Sequence, residues 1–595
     1  MDSVNRPVEQ QASAGLDASH MSAPTDHGSV YDVIVIGSGA AGMSAAIATR
    51  LEGLSVLVVE KHDRIGGSTA RSGGNMWIPC NRLAREKNIE DSAKEALAYV
   101  KAEAGDMFEP ERVEAYLRTG PEMLETYGAQ TSAMEFVLGD GVADNHPDLP
   151  GAKDNGRTVT VPPFDARKLG KYRKLLAGPL PELTFLGMQI QPGAELNKFF
   201  TALKSPASLT FVCKRLMTQL RDKLLYGQTV RLANGNALAA RLLKSALDLG
   251  VEFRTKSMTG ELITRDDEVV GTVLETPAGQ ERVHARRGVL LACGGFPHDR
   301  KRREHLSPVG VHGAGRYALG PQTNTGEGLS LAEAAGGVVE DRLPNTVSWT
   351  PVSRIRRSDG SYGLFPHAFD RFKPGYVFVA RNGRRFASEG AVGNDQIRAL
   401  VGQCGDTVNA EAFLIADHRA LTRYGLGMVR PWPVPFRAHL RSGYLIRRST
   451  IGELADALGI DRQLEETICR YNQHALVGRD SEFGRGESDL EKRNASATEW
   501  PNACLAPIDR GPFYAIRIYP GDFSTLAGVR VDECARVLRV DGSPVPRLYA
   551  AGNDACSMFG GNSIAGGATL GPAMTFGYIA AKDLARASDA FEERT

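Results

Sequence analysis

The amino-acid sequence predicts an α/β protein built on a parallel sheet, and a stretch near its amino terminus carries much of that prediction. Val33–Ile36 is a short apolar run typical of a buried parallel strand, and Met43–Leu51 has the composition of a helix. A second apolar run, Val56–Val59, follows the helix. Strand, helix and strand in this order indicate a βαβ unit.

The turn between the first strand and the helix has the spacing GxGxxG, at Gly37, Gly39 and Gly42. The first glycine permits a tight turn, the second lets the backbone approach a pyrophosphate, and the third lets the helix pack closely on the strand. Glu60 ends the second strand, about 20 residues further on, where a carboxylate can accept a hydrogen bond from a ribose 2'-hydroxyl. Together these features predict a dinucleotide with its phosphates at the helix N-terminus.

Two further glycine-containing stretches favour FAD over NAD as that dinucleotide. DRIGGSTARSGGN spans Asp63–Asn75, and LYAAGND, Leu548–Asp554, is a predicted strand that ends in glycine near the other end of the chain. A nicotinamide dinucleotide has no need of three separate glycine-lined approaches. FAD extends from adenine to a bulky isoalloxazine, and we therefore expect FAD.

Composition limits the classes of partner. The chain has 595 residues, enough for two or more domains, and Lys plus Arg (71) nearly equals Asp plus Glu (70). The net charge of +1 gives no reason to expect nucleic acid or an anionic membrane. The eight cysteines show no CxxC or metal-like spacing, which predicts reduced thiols, no metal site and a cytoplasmic location. No run of 18 apolar residues predicts a transmembrane segment.

The amino-terminal residues 1–29 are predicted to form a disordered arm. They are rich in Gln, Ala, Ser and Asp and contain neither the basic nor the apolar region of a secretory signal. The sequence leaves open whether Met1 or Met21 is the natural start.

The remaining chain divides into three parts by composition. We expect residues 30–346 to form the first part of an FAD-binding domain. Aromatic, proline and arginine residues become frequent near Val347, and residues 347–511 are predicted to form an inserted α+β catalytic or substrate domain. Residues 512–595 return to strands and turns and complete the FAD-binding domain.

Several elements within these parts have clear signals. Residues 82–130 are predicted to be helical, and residues 131–225 to be less regular. A helix is expected at Asn236–Leu249, then a hairpin with Asp266 and Asp267 at its turn.

The final predicted helix, Gly571–Leu584, follows the glycine-rich loop GGNSIAGGATLGP. Its positive end would face what the loop surrounds, and in a flavoenzyme the useful target is flavin N1 and the C2 carbonyl, where reduced flavin holds negative charge.

The motifs GGSTARSGG, NGNAL, GVLLACGGF, NTGEG, GPFYAIRIYPGD, LYAAGN and GATLGPAMTFGY resemble, in order and spacing, those of the 3-ketosteroid Δ1-dehydrogenases. That flavoprotein family is related to the soluble fumarate reductases. The resemblance covers nearly the whole chain from residue 30 and implies a Rossmann-like FAD-binding domain, split in sequence, with the catalytic domain inserted. No histidine lies in GGSTARSGG, so FAD is expected to be bound non-covalently. The residues expected to contact FAD are Gly37, Ser38, Gly39, Ala40, Ala41, Gly42, Glu60, Lys61, Gly67, Ser68, Thr69, Ser72, Gly73, Gly74, Ala292, Gly294, Gly295, Gly552, Asn553, Thr569 and Leu570.

The resemblance also implies a reaction. In that family one group removes a proton beside a ketone, hydride leaves the neighbouring carbon for flavin N5, and donors on the ketone oxygen stabilise the enolate. The physical requirement is that the developing oxyanion be held while the proton is abstracted.

The sequence departs from the family at three catalytic tyrosines. A DYYP-like stretch has Asn145 and His146 in place of two tyrosines, and Gly393 stands at the tyrosine position that follows the RFxNE-like motif. Ser563 replaces the third, and Gly567 stands where a backbone N–H would bind the ketone.

Replacements are therefore expected among nearby polar groups. Ser563 and Asn562 can donate to a carbonyl but are poor bases near pH 7. The candidate proton-handling residues are His146, Tyr362 and His367. Arg371 could bind a carboxylate or a ketone, or could instead belong to a surface ion pair. These side chains sort as catalytic Ser563, Gly567, His367, Tyr362 and His146.

Three functions remain compatible with the sequence. The leading hypothesis is an FAD-dependent dehydrogenase that introduces a C=C bond beside the carbonyl of a small, apolar cyclic ketone such as a 3-ketosteroid. The second is an ene-reductase, although the loop before the last helix lacks the arginine of fumarate reductases. The third is a catalytically inactive flavin-binding protein. No acceptor domain is fused to the chain, so a separate electron acceptor is expected.

Overall fold

The computed structural model describes residues 29–139, 141–191, 193–306, 317–368, 370–405, 410–496 and 499–589. The predicted disordered arm, apart from Ser29, and the choice between Met1 and Met21 lie outside the described residues. None of the described helices combines the length and the apolar composition that crossing a bilayer requires.

Strands and helices alternate through the first 290 residues and again near the end. The strands are β1 Ser29–Ile36, β2 Val56–Glu60, β3 Met76–Trp77, β4 Val137–Leu138, β5 Thr158–Thr160, β6 Phe164–Asp165, β7 Arg231–Leu232, β8 Glu252–Thr255, β9 Met258–Arg265, β10 Glu268–Thr276, β11 Gly279–Leu291, β12 Tyr317–Ala318, β13 Val347–Arg356, β14 Tyr362–Pro366, β15 Tyr376–Ala380, β16 Ala412–Ala416, β17 Ile446–Arg448, β18 Phe513–Thr525, β19 Arg536–Leu538 and β20 Pro544–Ala550. The helices are α1 Ala40–Leu51, α2 Arg82–Glu86, α3 Ala93–Ala104, α4 Pro110–Gln130, α5 Ala194–Phe200, α6 Pro206–Tyr226, α7 Asn234–Asp248, α8 Arg300–Leu306, α9 Glu327–Ala334, α10 Gly393–Cys404, α11 His418–Tyr424, α12 Arg437–Arg441, α13 Ile451–Leu458, α14 Gln463–Val477, α15 Asp489–Asn494 and α16 Leu570–Arg586.

The first sheet contains five parallel strands in the order β20-β11-β1-β2-β8. Val33–Ile36 and Val56–Val59 are buried, as expected for parallel strands covered on both faces. Strands from residues 29–36, 289–291 and 548–550 are direct neighbours, so the sheet joins segments that are far apart in sequence. The prediction of an α/β FAD-binding fold, split in sequence, is confirmed.

Helices α1 and α16 pack together against this sheet. A Cβ added to Gly577 would lie 2.4 Å from the Ala41 carbonyl oxygen, so only glycine permits the observed distance between the two helices. The Ser44 hydroxyl on α1 donates to the Met574 carbonyl oxygen on α16 at 2.6 Å. The last helix is thereby fixed beside the first, with both N-termini at the same edge of the sheet.

The second sheet is organised around the long strand β18. Its first half pairs with β16 and β17, and its second half pairs with β13 and β12, with β14 and β15 at the edges. Helices α13 and α14 bury an apolar face against β15 and β16. This sheet takes β12 and β18 from outside residues 347–511, the range predicted for the catalytic domain, and that division of the chain remains a prediction.

Most predicted elements are present with shifted ends. The three helices of residues 82–130 and the hairpin at Asp266–Asp267 are confirmed, the middle helix is Asn234–Asp248, and the last helix begins at Leu570 and extends to Arg586. The prediction that residues 131–225 are less regular is wrong for α6, which has 21 residues. This helix buries Ser208, Gln219 and Asp222 and exposes leucines, so its pattern lacks the usual apolar face toward a core.

Candidate active site

A cavity of about 660 Å³ lies between the two sheets. One wall is formed where the parallel strands end, at Ile36, Glu60 and Ala292, and the other includes Thr350 and Pro366 of the second sheet. Ligands of open α/β sheets bind at the carboxyl ends of the strands, so the cavity lies where the fold predicts a site.

The first glycine turn closes one end of this cavity without room for side chains. Gly37 has a φ of +109°, and an added Cβ would lie 2.1 Å from the Ala292 carbonyl oxygen. At Gly42 an added Cβ would lie 1.9 Å from the Gly37 carbonyl oxygen, which holds α1 against β1. Gly39 differs, because the nearest group to its added Cβ is the Thr69 hydroxyl at 3.8 Å, and this glycine lines the cavity. Its open face leaves room for a pyrophosphate at the helix N-terminus.

The carboxylate of Glu60 lines the same end of the cavity. It accepts hydrogen bonds from the Ser38 backbone N–H at 3.1 Å, the Ser38 hydroxyl at 2.5 Å and the His62 backbone N–H at 2.8 Å. These donors orient the carboxylate, and each oxygen keeps acceptor capacity for a ribose hydroxyl.

The second glycine-rich stretch forms a short 3-10 helix, Gly67–Arg71, on the cavity wall. Its Thr69 hydroxyl accepts a hydrogen bond from the Ala40 N–H at 2.9 Å, which ties this stretch to the start of α1. No heavy atom outside its chain neighbours lies within 4 Å of a Cβ added to Gly73, so a side chain there would enter the cavity. The wall therefore accepts a flat, extended ligand.

Nineteen of the 21 residues expected to contact FAD line the cavity. The exceptions are Gly42, which packs the helix on the strand, and Gly295, where an added Cβ would lie 2.0 Å from the Thr525 hydroxyl oxygen. Both glycines act through close packing at this site.

Sequence reasoning missed two residues that shape this wall. Asp554 is fully buried and accepts hydrogen bonds from the backbone N–H groups of Cys293 and Gly295, and burial raises its pKa to about 6. Asn324 lines the cavity and donates to the Ser68 hydroxyl and the Gly294 carbonyl oxygen at 3.2 and 3.0 Å. The motifs LYAAGND and NTGEG contain these residues, so the signal was present, but the partners are distant in sequence.

Two of the five predicted catalytic residues, Ser563 and Gly567, line the cavity together. Gly567 has a φ of +104°, and an added Cβ would lie 2.6 Å from the backbone nitrogens of Met76 and Trp77. In the part of the chain that the structure describes, neither the Gly567 N–H nor the Ser563 hydroxyl has a hydrogen-bond partner. Asn145, also on the wall, donates its amide N–H to the Ser563 carbonyl oxygen and so fixes this loop.

The other three predicted catalytic residues lie off the cavity wall. Tyr362 is about half exposed on an edge strand, with the Arg354 guanidinium 3.4 Å from its ring centroid. His367 is completely buried, with Nε2 2.8 Å from the Ser353 hydroxyl and Nδ1 2.7 Å from the Asp370 carboxylate. Because Asp370 does line the cavity, His367 reaches it only through this carboxylate.

His146 lies between two carboxylates. Its Nδ1 contacts Glu103 at 2.5 Å and its Nε2 contacts Asp395 at 3.1 Å. Burial alone would lower the imidazole pKa, but hydrogen bonds to Asp395 and Glu103 and their charges outweigh burial and raise the pKa to about 10. The ring is therefore a cation near pH 7, and a cation has no free lone pair with which to abstract a proton.

Gly393 shows why one family tyrosine cannot be restored by a simple substitution. A Cβ added to Gly393 would lie 2.2 Å from the Trp349 carbonyl oxygen. The backbone of β13 thus occupies the space that a side chain at position 393 would need. Trp349 itself lines the cavity.

Comparison with known proteins identifies the ligand of this cavity. The family model described as FAD binding domain matches residues 32–570. The 4-oxocyclohex-2-ene-1-carboxylate 5-dehydrogenase of Sinomonas cyclohexanicum is 36% identical over 94% of this chain and 95% of its own length. The 3-oxosteroid 1-dehydrogenase of Mycolicibacterium smegmatis is 35% identical, over 94% of this chain and 98% of its own length.

This chain belongs to the 3-ketosteroid Δ1-dehydrogenase-like family of FAD-dependent oxidoreductases. In fold it is similar to the 3-ketosteroid Δ1-dehydrogenase of Sterolibacterium denitrificans, whose structure was solved in complex with 1,4-androstadiene-3,17-dione. The TM-score is 0.85 with 32% identity, and the match covers 93% of this chain and 99% of the other. The predicted family and the predicted cofactor are both confirmed. The open faces of Gly39 and Gly73 and the oriented Glu60 carboxylate fit FAD.

The position of His146 makes stability depend on pH. Because its pKa is raised from 6.5 to about 10 by folding, its stabilising contribution is complete below pH 6.5 and is lost as pH rises through 10. We expect the difference in melting temperature between wild type and His146→Gln to be largest at pH 6 and to shrink toward pH 10.5. Thermal unfolding followed by circular dichroism measures it. A difference that is constant across this range would contradict the assigned pKa.

Proposed function

We propose that this dehydrogenase introduces a C=C bond beside the carbonyl of a cyclic ketone. A proton leaves the carbon next to the carbonyl, and a hydride leaves the neighbouring carbon. Bound FAD supplies the hydride acceptor at N5. The ring loses two hydrogens and gains a double bond, and the two electrons then pass to a separate acceptor. Relatives named for 3-oxosteroids and for 4-oxocyclohexene carboxylate support a cyclic ketone as substrate class.

The observation that carries this proposal is a pair of unpartnered donors on the cavity wall. The Gly567 N–H and the Ser563 hydroxyl belong to the loop that leads into α16, and both residues line the cavity. Donors aimed at a ketone oxygen stabilise the negative charge that develops when the neighbouring proton is removed. We assign ketone binding to these two groups.

We assign proton acceptance to Asp370, with His367 as its positioning residue. Of the carboxylates on the wall, Glu60 and Glu327 lie at the nucleotide end, whereas Asp370 is contributed by the second-sheet half. Burial alone would raise its pKa, but the charge and hydrogen bond of His367 and the Gly427 N–H outweigh burial and lower the pKa. The carboxylate is ionised at neutral pH, and the buried imidazole fixes its orientation.

The two alternative functions receive less support. An ene-reductase would reverse the same chemistry, but fumarate-like substrates require cationic clamps for two carboxylates. An inactive flavin-binding protein predicts a filled cleft, whereas about 660 Å³ is open between the sheets.

The proposal includes the predicted organisation and surroundings of the enzyme. Residues 30–346 and 512–595 would provide the FAD-binding part, and residues 347–511 most of the catalytic part. All eight cysteines are free thiols, which supports the predicted cytoplasmic location.

An anaerobic titration tests the reaction. The flavin of the purified holoenzyme should lose its visible absorbance when a substrate ketone is added, because hydride transfer reduces it. A panel of 3-ketosteroids and substituted cyclohexanones identifies the class that reacts. If no ketone bleaches oxidised flavin, but an enone or alkene acid reoxidises chemically reduced flavin, the reductase function replaces this proposal.

Substitution of Ser563 by Ala should slow flavin reduction by about 100-fold, because one donor to the ketone oxygen is lost. The flavin spectrum and FAD affinity should remain those of wild type, since the change removes no contact to the protein. Stopped-flow absorbance measures the rate, and Ser132→Ala on the exposed surface is the control. A wild-type rate in Ser563→Ala would remove this residue from the mechanism.

Substitution of Asp370 by Asn should lower the rate of flavin reduction by about 100-fold or more, because an amide is not a base at neutral pH. Asp359→Asn, in an exposed turn of the same sheet, changes charge equally and should react normally. The same stopped-flow assay applies. Equal rates for the two variants would assign proton removal to another group.

A further inference from the structure

Arg371 is a buried cation on the wall of the cavity. Only 7% of its surface is exposed, and it follows Asp370 in a short 3-10 helix before β15. One terminal nitrogen donates to the carbonyl oxygens of Glu389 and Ala391. Its Nε is buried and has no hydrogen-bond partner. One edge of the guanidinium is thus held by the protein and the other edge is left unsatisfied.

The charge of Arg371 has no counter-ion in contact. Within the described ranges, no carboxylate oxygen lies within 4 Å of its guanidinium nitrogens. The Asp370 carboxylate is turned to His367 and the Gly427 N–H, and Glu491 is bonded to Gly486 and Ser388. Burial lowers the pKa of Arg371 to about 10, with Asp370 and Glu491 opposing the shift, so the group stays charged at neutral pH.

Neighbouring buried arginines are paired, which makes this one an exception. Arg385 contacts both Glu389 and Asp480, and Arg485 contacts Glu389 at 2.9 Å. A buried ion that lacks a partner is costly, so an unpaired guanidinium next to a ligand cavity indicates an anionic ligand.

The surroundings define what kind of anion fits. Apolar groups form the wall near Arg371, including Phe365, Phe372, Val392 and Leu490. The other buried arginine on the wall, Arg71, has its guanidinium on the Leu319 and Gly320 carbonyl oxygens, in the helix on the FAD side. A ligand with an apolar ring and a single carboxylate matches one free cation in an apolar wall.

We propose that the substrate is a monocyclic ketone carrying one carboxylate, and that Arg371 binds this carboxylate in a charge-assisted, two-point hydrogen bond. This inference rests on the proposed function, in which Gly567 and Ser563 hold the ketone oxygen at the other end of the ring. A neutral steroid would leave the guanidinium buried and unpaired. The anchor therefore selects cyclic keto acids over uncharged ketones.

Two substrates that differ in charge test the anchor. The holoenzyme is assayed with 4-oxocyclohexanecarboxylate and with the neutral 4-methylcyclohexanone. In Arg371→Met, kcat/KM for the keto acid should fall by about 100-fold or more. For the neutral ketone it should stay within about threefold of wild type, since no charge is lost from that complex. Arg356→Met, exposed on β13, is the charge-matched control and should resemble wild type with both substrates.

A binding measurement provides a readout that does not depend on turnover. Cyclohexanecarboxylate lacks the ketone and should perturb the flavin absorbance of the wild-type holoenzyme, while the neutral cyclohexanemethanol should bind far more weakly. The carboxylate should lose this advantage in Arg371→Met. Arg371→Lys keeps the charge but loses the two-point geometry, and should retain part of the affinity. This variant also serves if the methionine protein is unstable.

The outcomes separate failure of the anchor from failure of the proposed function. Equal losses for both substrates in Arg371→Met would make the residue purely structural and overturn the inference. Bleaching by steroids or neutral ketones, with none by the keto acid, would also overturn it while leaving the dehydrogenase function intact. If no ketone bleaches the flavin, the proposed function fails. Arg371-dependent binding of cyclohexanecarboxylate would then still support the anchor, and its absence would overturn it.

Discussion

The structure depends on a backbone contact that leaves no room for a side chain. At Gly37 the turn after β1 lies directly against the carbonyl of Ala292, which ends the strand from β11. Gly42 brings α1 equally close to the same turn. Because these contacts bring the carboxyl ends of β1, β2, β11 and β20 to one edge, segments separated by more than 200 residues share one cavity wall.

Placement of the last helix follows from the same principle of close approach. Gly577 lets α16 lie against Ala41 of α1, and the loop before α16 then borders the cavity. The sharp turn at Gly567, where an added Cβ would meet the Met76 and Trp77 nitrogens, holds this loop against β3. Small residues thus position the ketone-binding donors of the proposed mechanism by backbone geometry alone.

Charge is distributed very differently in the two walls. Buried guanidinium groups of the second-sheet half contact carboxylates, as Arg385 contacts Glu389 and Asp480. Arg371 alone in this group contacts only carbonyl oxygens. The departures from the family tyrosines fit the same description: Gly393 yields its space to the β13 backbone, and Ser563 leaves an open hydroxyl. We infer an active site adapted to a smaller and more polar substrate than a steroid.

The sequence by itself determined the class of fold, the family and the cofactor, because these depend on local signals. A GxGxxG turn between a strand and a helix requires glycine for steric reasons that hold in any context, and most of the predicted FAD residues indeed line the cavity. Only the tertiary structure decided which polar residues reach the substrate. His146 is taken up by Glu103 and Asp395, and His367 stands behind Asp370, because burial and pairing depend on side chains brought together from distant segments. The unpaired state of Arg371 is a fact of the same kind, since the absence of a counter-ion exists only once every neighbour has been placed.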